Sequence, residues 1–213
     1  MPEFAELLKG YRRFREQTWP RQRARFAETL EQGQHPKLMI IGCCDSRVDP
    51  AQIFDVDPGD IFVLRNVAAL VPPYETTPGQ HGVSAAVEFA VQVLEVAQVV
   101  VMGHGRCGGC QAALQRDYTE ADRGEGQFLA GWITLLDEAR EDVAARYGTD
   151  SREAELQMEF AAIRQSLANL RTFPWLAERE REGRLKLRGA HFSIQEGRLY
   201  SLDEATGRFE VIE

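Results

Sequence analysis

Three short apolar runs stand out in the first half of the chain: Lys37–Gly42, Asp60–Leu64 and Gln98–Met102. They are apolar at successive rather than alternate positions, which predicts strands buried on both faces of a sheet. Between the second and third runs, Val83, Ala86, Val87, Ala90, Val91 and Leu94 recur at i, i+3, i+4, i+7, i+8 and i+11. This spacing predicts a helix with one apolar stripe against that sheet. Strands alternating with helices argue for an α/β fold, in which a mostly parallel central β-sheet is flanked by helices joined through right-handed crossovers.

The two ends of the chain read differently. Phe4, Leu7, Leu8, Tyr11 and Phe14 lie at helical spacing, and Pro20 opens a second stretch with Phe26 and Leu30 on one side. Two short amphipathic helices are therefore expected in an N-terminal arm, residues 1–36. From Glu125 to about Leu170 the pattern is helical, with a break at Tyr147–Asp150, where Ser or Asp residues can cap the next helix. The tail, Leu185–Ile194, Gln195–Gly197 and Arg198–Leu202, reads as strand, turn, strand, and Phe209–Ile212 as a third strand, a C-terminal extension of the sheet. With no repeat, low-complexity tract or linker in view, residues 1–213 are read as one domain.

Composition narrows the function classes. The balance of 25 Lys and Arg against 33 Asp and Glu gives a net charge of −8, a field that repels phosphate backbones, so no nucleic-acid partner is expected. Arg12, Arg13, Arg15, Arg21, Arg23 and Arg25 are interleaved with Glu16 and Glu28 and read as a solvated helix face or a subunit contact. No apolar run reaches the 18 or so residues of a membrane helix, and Met1-Pro2-Glu3 does not open a basic-then-apolar leader. The expectation is a cytoplasmic protein with no membrane partner. Its four cysteines fall as Cys43-Cys44 and Cys107-x2-Cys110, which in that setting favours metal or redox chemistry over structural disulfides.

The first apolar run leads directly into Gly42-Cys43-Cys44-Asp45-Ser46-Arg47, and the third into Gly103-His104-Gly105-Arg106-Cys107-Gly108-Gly109-Cys110. Sites in open parallel sheets form beyond the carboxyl ends of strands, so both segments lie where functional loops collect. Cys43, His104 and Cys107 supply two soft thiolates and an imidazole, a set suited to zinc, one ion per chain, with a fourth position left for water or substrate. Asp45 and Arg47 can form a bidentate pair that keeps the carboxylate ionised and able to accept a hydrogen bond from a water activated by the metal. Two other readings compete. One is a Cys107-x2-Cys110 dithiol redox module; the other is a structural zinc site of Cys43, Cys44, Cys107 and Cys110. The second has poor geometry, because adjacent side chains on an extended chain point apart.

Cys43-x-Asp45-x-Arg47 followed by His104-x2-Cys107 resembles the zinc motif of the β-class carbonic anhydrases. Arg65-Asn66-Val67-Ala68, Ser84–Ala90 and Gly103-His104 before Cys107-Gly108-Gly109 resemble that family too, and the likeness runs from about Phe14 to Leu202. The resemblance implies reversible hydration of carbon dioxide to bicarbonate and a proton by a zinc-bound hydroxide. Cys43, His104 and Cys107 would bind zinc, and Asp45 and Arg47 would be the catalytic dyad. In some members the aspartate rotates onto the metal in a closed state. It also implies a homodimer or tetramer, with N-terminal helices wrapped over a neighbour. Related folds hydrolyse carbon disulfide or carbonyl sulfide, an alternative that the ligands alone leave open.

One branch of the family binds bicarbonate at a non-catalytic pocket made of Trp, Arg and Tyr. The matching positions here are Ile40, Arg65 and Phe192, which implies that this regulation is absent. Cys44 and Cys110 are expected to be small buried residues, and His35, His81 and His191 surface or packing histidines. Gln80, which follows Pro72-Pro73-Tyr74, is given no role.

Overall fold

The structure, a computed structural model, describes residues 3–116 and 127–212. The three apolar runs form β1 (Leu38–Cys43), β2 (Ile61–Asn66) and β3 (Gln98–His104), and the tail forms β4 (Lys186–Ser193), β5 (Arg198–Asp203) and β6 (Arg208–Val211). They make one six-stranded sheet in the order β2-β1-β3-β4-β5-β6. β1 runs parallel to both of its neighbours and β3 parallel to β4, whereas β5 and β6 add antiparallel at one edge. The helices are α1 (Phe4–Arg13), α2 (Trp19–Gln32), α3 (Pro50–Ile53), α4 (Gly82–Glu88), α5 (Gly108–Gln115), α6 (Phe128–Ile133), α7 (Asp137–Tyr147), α8 (Arg152–Leu170) and α9 (Pro174–Arg181).

The continuous apolarity of β1 follows from burial on both faces. Met39 and Ile41 pack with Val99, Val101, Ile163 and Leu167 on one side, while Ile40 packs with Met102 and Ala190 on the other. α8 lies across β3 and β4, and the close approach depends on missing side chains. A Cβ on Gly103 would come within 2.8 Å of Ile163 Cδ1, and one on Gly189 within 3.0 Å of Ile163 Cγ2. The expected break before α8 is present: α7 ends at Tyr147, and Ser151 caps α8 by accepting a hydrogen bond from the Ala154 N–H at 3.0 Å. Glu125, where helical pattern was expected to begin, lies outside the described residues.

One expectation changes in detail. The stripe from Val83 to Leu94 does bury Val87, Ala90 and Val91, but α4 widens into a π turn at Phe89–Val93. The N-terminal arm forms the two expected helices: Pro20 lies in the first turn of α2, where its missing N–H has little cost, and a π turn at Phe14–Thr18 joins α1 to α2. Phe14, Trp19 and Phe26 stack along this rod, with ring centroids 6.3 and 5.0 Å apart. No residue of α1 or α2 is buried, and Phe4, Leu7, Tyr11 and Leu30 are left exposed. α2 is tied to the body near the start of β2, where Arg25 donates to Pro58 O at 3.2 Å and pairs with Asp60 at 2.9 Å. No described helix is long and apolar enough to cross a membrane.

Candidate metal centre

Parallel pairing of β1 with β3 brings their carboxyl ends side by side: Gly42 is in register with Met102, and Cys43 and His104 close the two strands. The chain then turns at Gly105-Arg106, and Cys107 occupies the N-cap position of α5. As a result Cys43 Sγ, a ring nitrogen of His104 and Cys107 Sγ all lie within 4.8 Å of one another, and all three residues are buried. Among the described residues, this is the one group of three or more His, Cys, Asp or Glu side chains placed to hold a metal ion.

The imidazole is set up as a ligand. His104 Nδ1 lies 3.0 Å from the Gly105 carbonyl, to which it donates, so the lone pair is left on Nε2. Nε2 is buried and makes no hydrogen bond of standard geometry. An orphaned buried acceptor beside two thiols is the arrangement a soft divalent cation satisfies. In the protein alone, the thiols hold their protons. Cys43 is pushed up to about 12, first by its contact with Cys107 and then by burial. Cys107 is driven well above the ordinary thiol range, chiefly by its contact with Cys110, with burial adding to it. A bound cation inverts this preference and releases the protons, so metal affinity here must rise with pH.

Asp45 stands at the edge of the group, with Oδ2 4.0 Å from His104 Nε2. Arg47 holds it by three donors: the backbone N–H to Oδ1 at 2.9 Å, Nε to Oδ1 at 2.9 Å and a terminal nitrogen to Oδ2 at 2.7 Å. These bonds hold the Asp45 carboxyl far below the usual carboxylate range, so it is ionised throughout neutral pH. Arg47 is itself braced by the Arg106 carbonyl at 3.2 Å, which joins the two loops.

The surrounding segments are structural. The Arg65 guanidinium donates to Cys43 O at 2.8 Å, to Asp45 O at 2.7 Å and to Asp49 Oδ2 at 2.9 Å, pinning the loop after β1. The Asn66 side chain exchanges two hydrogen bonds with the Leu70 backbone, which supports the left-handed Ala68 and Ala69 between them. Val67 and Ala68 in turn form the wall against Gly109, where an added Cβ would lie 2.8 Å from Val67 Cγ1.

A profile of the carbonic anhydrase family matches residues 38–199. A carbonic anhydrase of Pseudomonas aeruginosa is 37% identical over 205 residues, which cover 96% of this chain and 90% of that protein. Beta carbonic anhydrase 5 of Arabidopsis thaliana, a chloroplastic protein, is 38% identical over 169 residues, 78% of this chain. The chain belongs to the β-class carbonic anhydrases. It spans only 54% of the Arabidopsis protein. Among solved structures, the β-carbonic anhydrase CcaA superposes with a TM-score of 0.89 at 32% identity, covering 98% of this chain and 99% of that one. A structure describing two tetrameric β-carbonic anhydrases of Sordaria macrospora superposes at 0.74 with 30% identity, covering 93% and 96%.

In this β-carbonic anhydrase the remaining cysteines and histidines separate clearly. Cys44, expected to be buried, is instead exposed just past the end of β1, and neither it nor Cys110 belongs to the Cys43-His104-Cys107 group, so a four-thiolate site has no support. Cys110 is buried one helical turn along α5, against Cys107. His81 is a local tie, with Nε2 2.9 Å from Thr77 O and Nδ1 3.2 Å from Glu75. It lines a cavity of about 290 Å³ with Gln80 and Trp132, whose indole N–H donates to Val67 O at 2.9 Å. His191 is the residue that sequence reasoning undervalued: it is 2% exposed and pairs with Glu159. A signal was available, since Glu159 is a carboxylate on the same stripe of α8 as Ala162, Ile163 and Ser166.

The geometry separates the Cys43-His104-Cys107 group from its neighbours, and so predicts unequal effects of changing them on metal content. Cys107→Ser is expected to lose most of the bound zinc, because a hard hydroxyl replaces a soft thiolate, whereas Cys110→Ser keeps one zinc per chain. Metal analysis of the purified variants checks this, and the opposite ranking would move the ligand from Cys107 to Cys110.

Proposed function

We propose that this chain catalyses the reversible hydration of carbon dioxide to bicarbonate and a proton, with one zinc per chain held by Cys43, His104 and Cys107. The observation that carries the reading is a buried Cys-His-Cys group with an ionised Asp45 at its edge, in a chain of this family. The donor set fits zinc: two thiols, and an imidazole whose Nε2 is the ring nitrogen left without a partner. When bound, zinc supplies a Lewis acid that lowers the pKa of a water from 15.7 towards about 7.

The protein's own residues supply position and charge. Asp45 accepts a hydrogen bond from the attacking water and so directs its lone pair at the substrate carbon. Because Arg47 keeps the carboxyl pKa far below neutrality, Asp45 orients this water without taking up its proton, which leaves by way of solvent. Arg47 also holds Asp45 back: its three bonds must break before the carboxylate can swing towards the ligand group. Arg65, by fixing the Cys43 and Asp45 carbonyls, sets the relative position of ligand and dyad.

Assembly as a homodimer, or a multiple of one, belongs to the same reading, and the exposed apolar residues of the arm support it. A solution monomer at micromolar concentration, seen by light scattering, would count against it. A bicarbonate effect through the pocket at Ile40, Arg65 and Phe192 is not expected, since Ile40 lies in an apolar cluster and the Arg65 guanidinium is already committed to three oxygens. Cooperative inhibition by bicarbonate at constant pH and ionic strength would contradict that.

The decisive measurement is stopped-flow hydration of carbon dioxide together with zinc content. Asp45→Asn is expected to lower kcat by about 10²–10⁴-fold while zinc is retained. Arg47→Ala should also lose activity with its zinc in place, because Asp45 is freed from the bonds that hold it. Full activity in a metallated Asp45→Asn enzyme would remove Asp45 from the mechanism.

A further inference from the structure

The two ligands His104 and Cys107 are separated by only Gly105 and Arg106, and Arg106 has φ of +59°, the left-handed region that a non-glycine residue avoids. That conformation turns the chain out of β3 and delivers Cys107 to the N-cap of α5. It is held from behind by a side chain on α8. Glu159 Oε1 accepts the Arg106 N–H at 2.6 Å and lies 3.4 Å from the Cys107 nitrogen. Its other oxygen is 2.8 Å from His191 Nε2 on β4, which donates to it. Both side chains are almost wholly buried, at 5% and 3% exposure. The His191 ring is fixed in turn between Phe160 and Tyr200, with centroids 5.0 and 6.2 Å away.

We propose that Glu159, anchored by His191, is a positioning residue for metal binding: it clamps the left-handed turn at Arg106 and so aims Cys107 Sγ at the ligand group. This rests on the zinc reading above. A carboxylate buried on the stripe that α8 packs against the sheet costs solvation that an apolar residue would not, and the partners it has found are the two amides of the ligand turn and one histidine. The neighbouring buried polar group on the same helix, Ser166, serves a different place, donating to Ala69 O and accepting from Val71 N. It therefore provides a control that weakens packing of α8 without touching the turn.

The test is zinc affinity of the full-length protein, measured by competition with a chromophoric chelator at fixed pH, alongside thermal unfolding. Glu159→Ala removes the clamp and Glu159→Asp withdraws the carboxylate by one methylene while keeping its charge. Each is expected to weaken zinc binding about 10–100-fold. Glu159→Gln retains a carbonyl for the turn and should stay within about threefold of wild type. Ser166→Ala should lower stability and leave zinc affinity unchanged. In the Glu159→Ala background, Arg106→Gly should recover part of the loss, because glycine adopts the left-handed turn without help. Should Glu159→Ala fail to fold, Glu159→Asp decides. A folded Glu159→Asp protein with wild-type zinc affinity overturns the clamp, as does a loss no larger than that of Ser166→Ala. A wild-type protein that binds no zinc overturns the zinc reading itself, which keeps the two failures apart.

Discussion

The side-by-side arrival of β1 and β3 is the constraint on which the centre of this protein depends. Cys43 and His104 are 61 positions apart in the chain and meet because two parallel strands in register both stop at the same edge of the sheet. A hydrogen-bonded ladder fixes that register, and a slip of either strand by one residue would turn its side chain at the site to the opposite face. Burial of β1 on both sides makes a slip costly, since Ile40 and Ile41 would exchange two differently shaped apolar environments. The rigid part of the molecule therefore sets the distance between Cys43 and His104, and a short loop has only to deliver Cys107.

Electrostatics explains why the delivery needs so much bracing. Two thiols and an imidazole in a buried site have no reason to stay together once ionised, and without a cation the protein responds by keeping the thiols protonated. The backbone around them is held by partners that do not depend on the metal: Arg65 on the Cys43 and Asp45 carbonyls, Asn66 on Leu70, and Glu159 on the Arg106 and Cys107 amides. The left-handed residues Ala68, Ala69 and Arg106 each carry strain of about 1–3 kcal/mol, and each lies next to one of these braces. Strain at these three residues is thus balanced by hydrogen bonds drawn from the sheet and from α8.

Charge at the site is arranged in two tiers. The Cys43-His104-Cys107 group is buried and its thiols hold their protons, whereas Asp45 is at the rim and its ionisation answers chiefly to Arg47. Separating the two lets the carboxylate remain charged and directional near neutral pH whatever the protonation of the thiols. The bond from Arg47 to the Arg106 carbonyl then couples the loop that carries the dyad to the loop that carries Cys107.

The strands, the crossover stripe, the break before α8 and the group Cys43, Asp45, Arg47, His104 and Cys107 can be read from the sequence, because each is carried by periodicity or by a motif within a few residues. The family likeness was legible for the same reason, as its motifs are local. Pro20 marked the start of α2 for a local reason as well, since the first turn of a helix tolerates a residue without an N–H. Pairings across large separations could be seen only once the chain was folded. Arg65 could be placed at the end of the second apolar run but not assigned its three acceptors, and Cys44, expected to be buried beside Cys43, is exposed. His191 looked like an isolated histidine because its partner, Glu159, is 32 residues away on a different element. A buried polar pair leaves a trace in the pattern, a charged residue on an apolar stripe, but the amides it serves are backbone groups. Backbone groups are the same at every position, so no sequence can show which of them a side chain will hold.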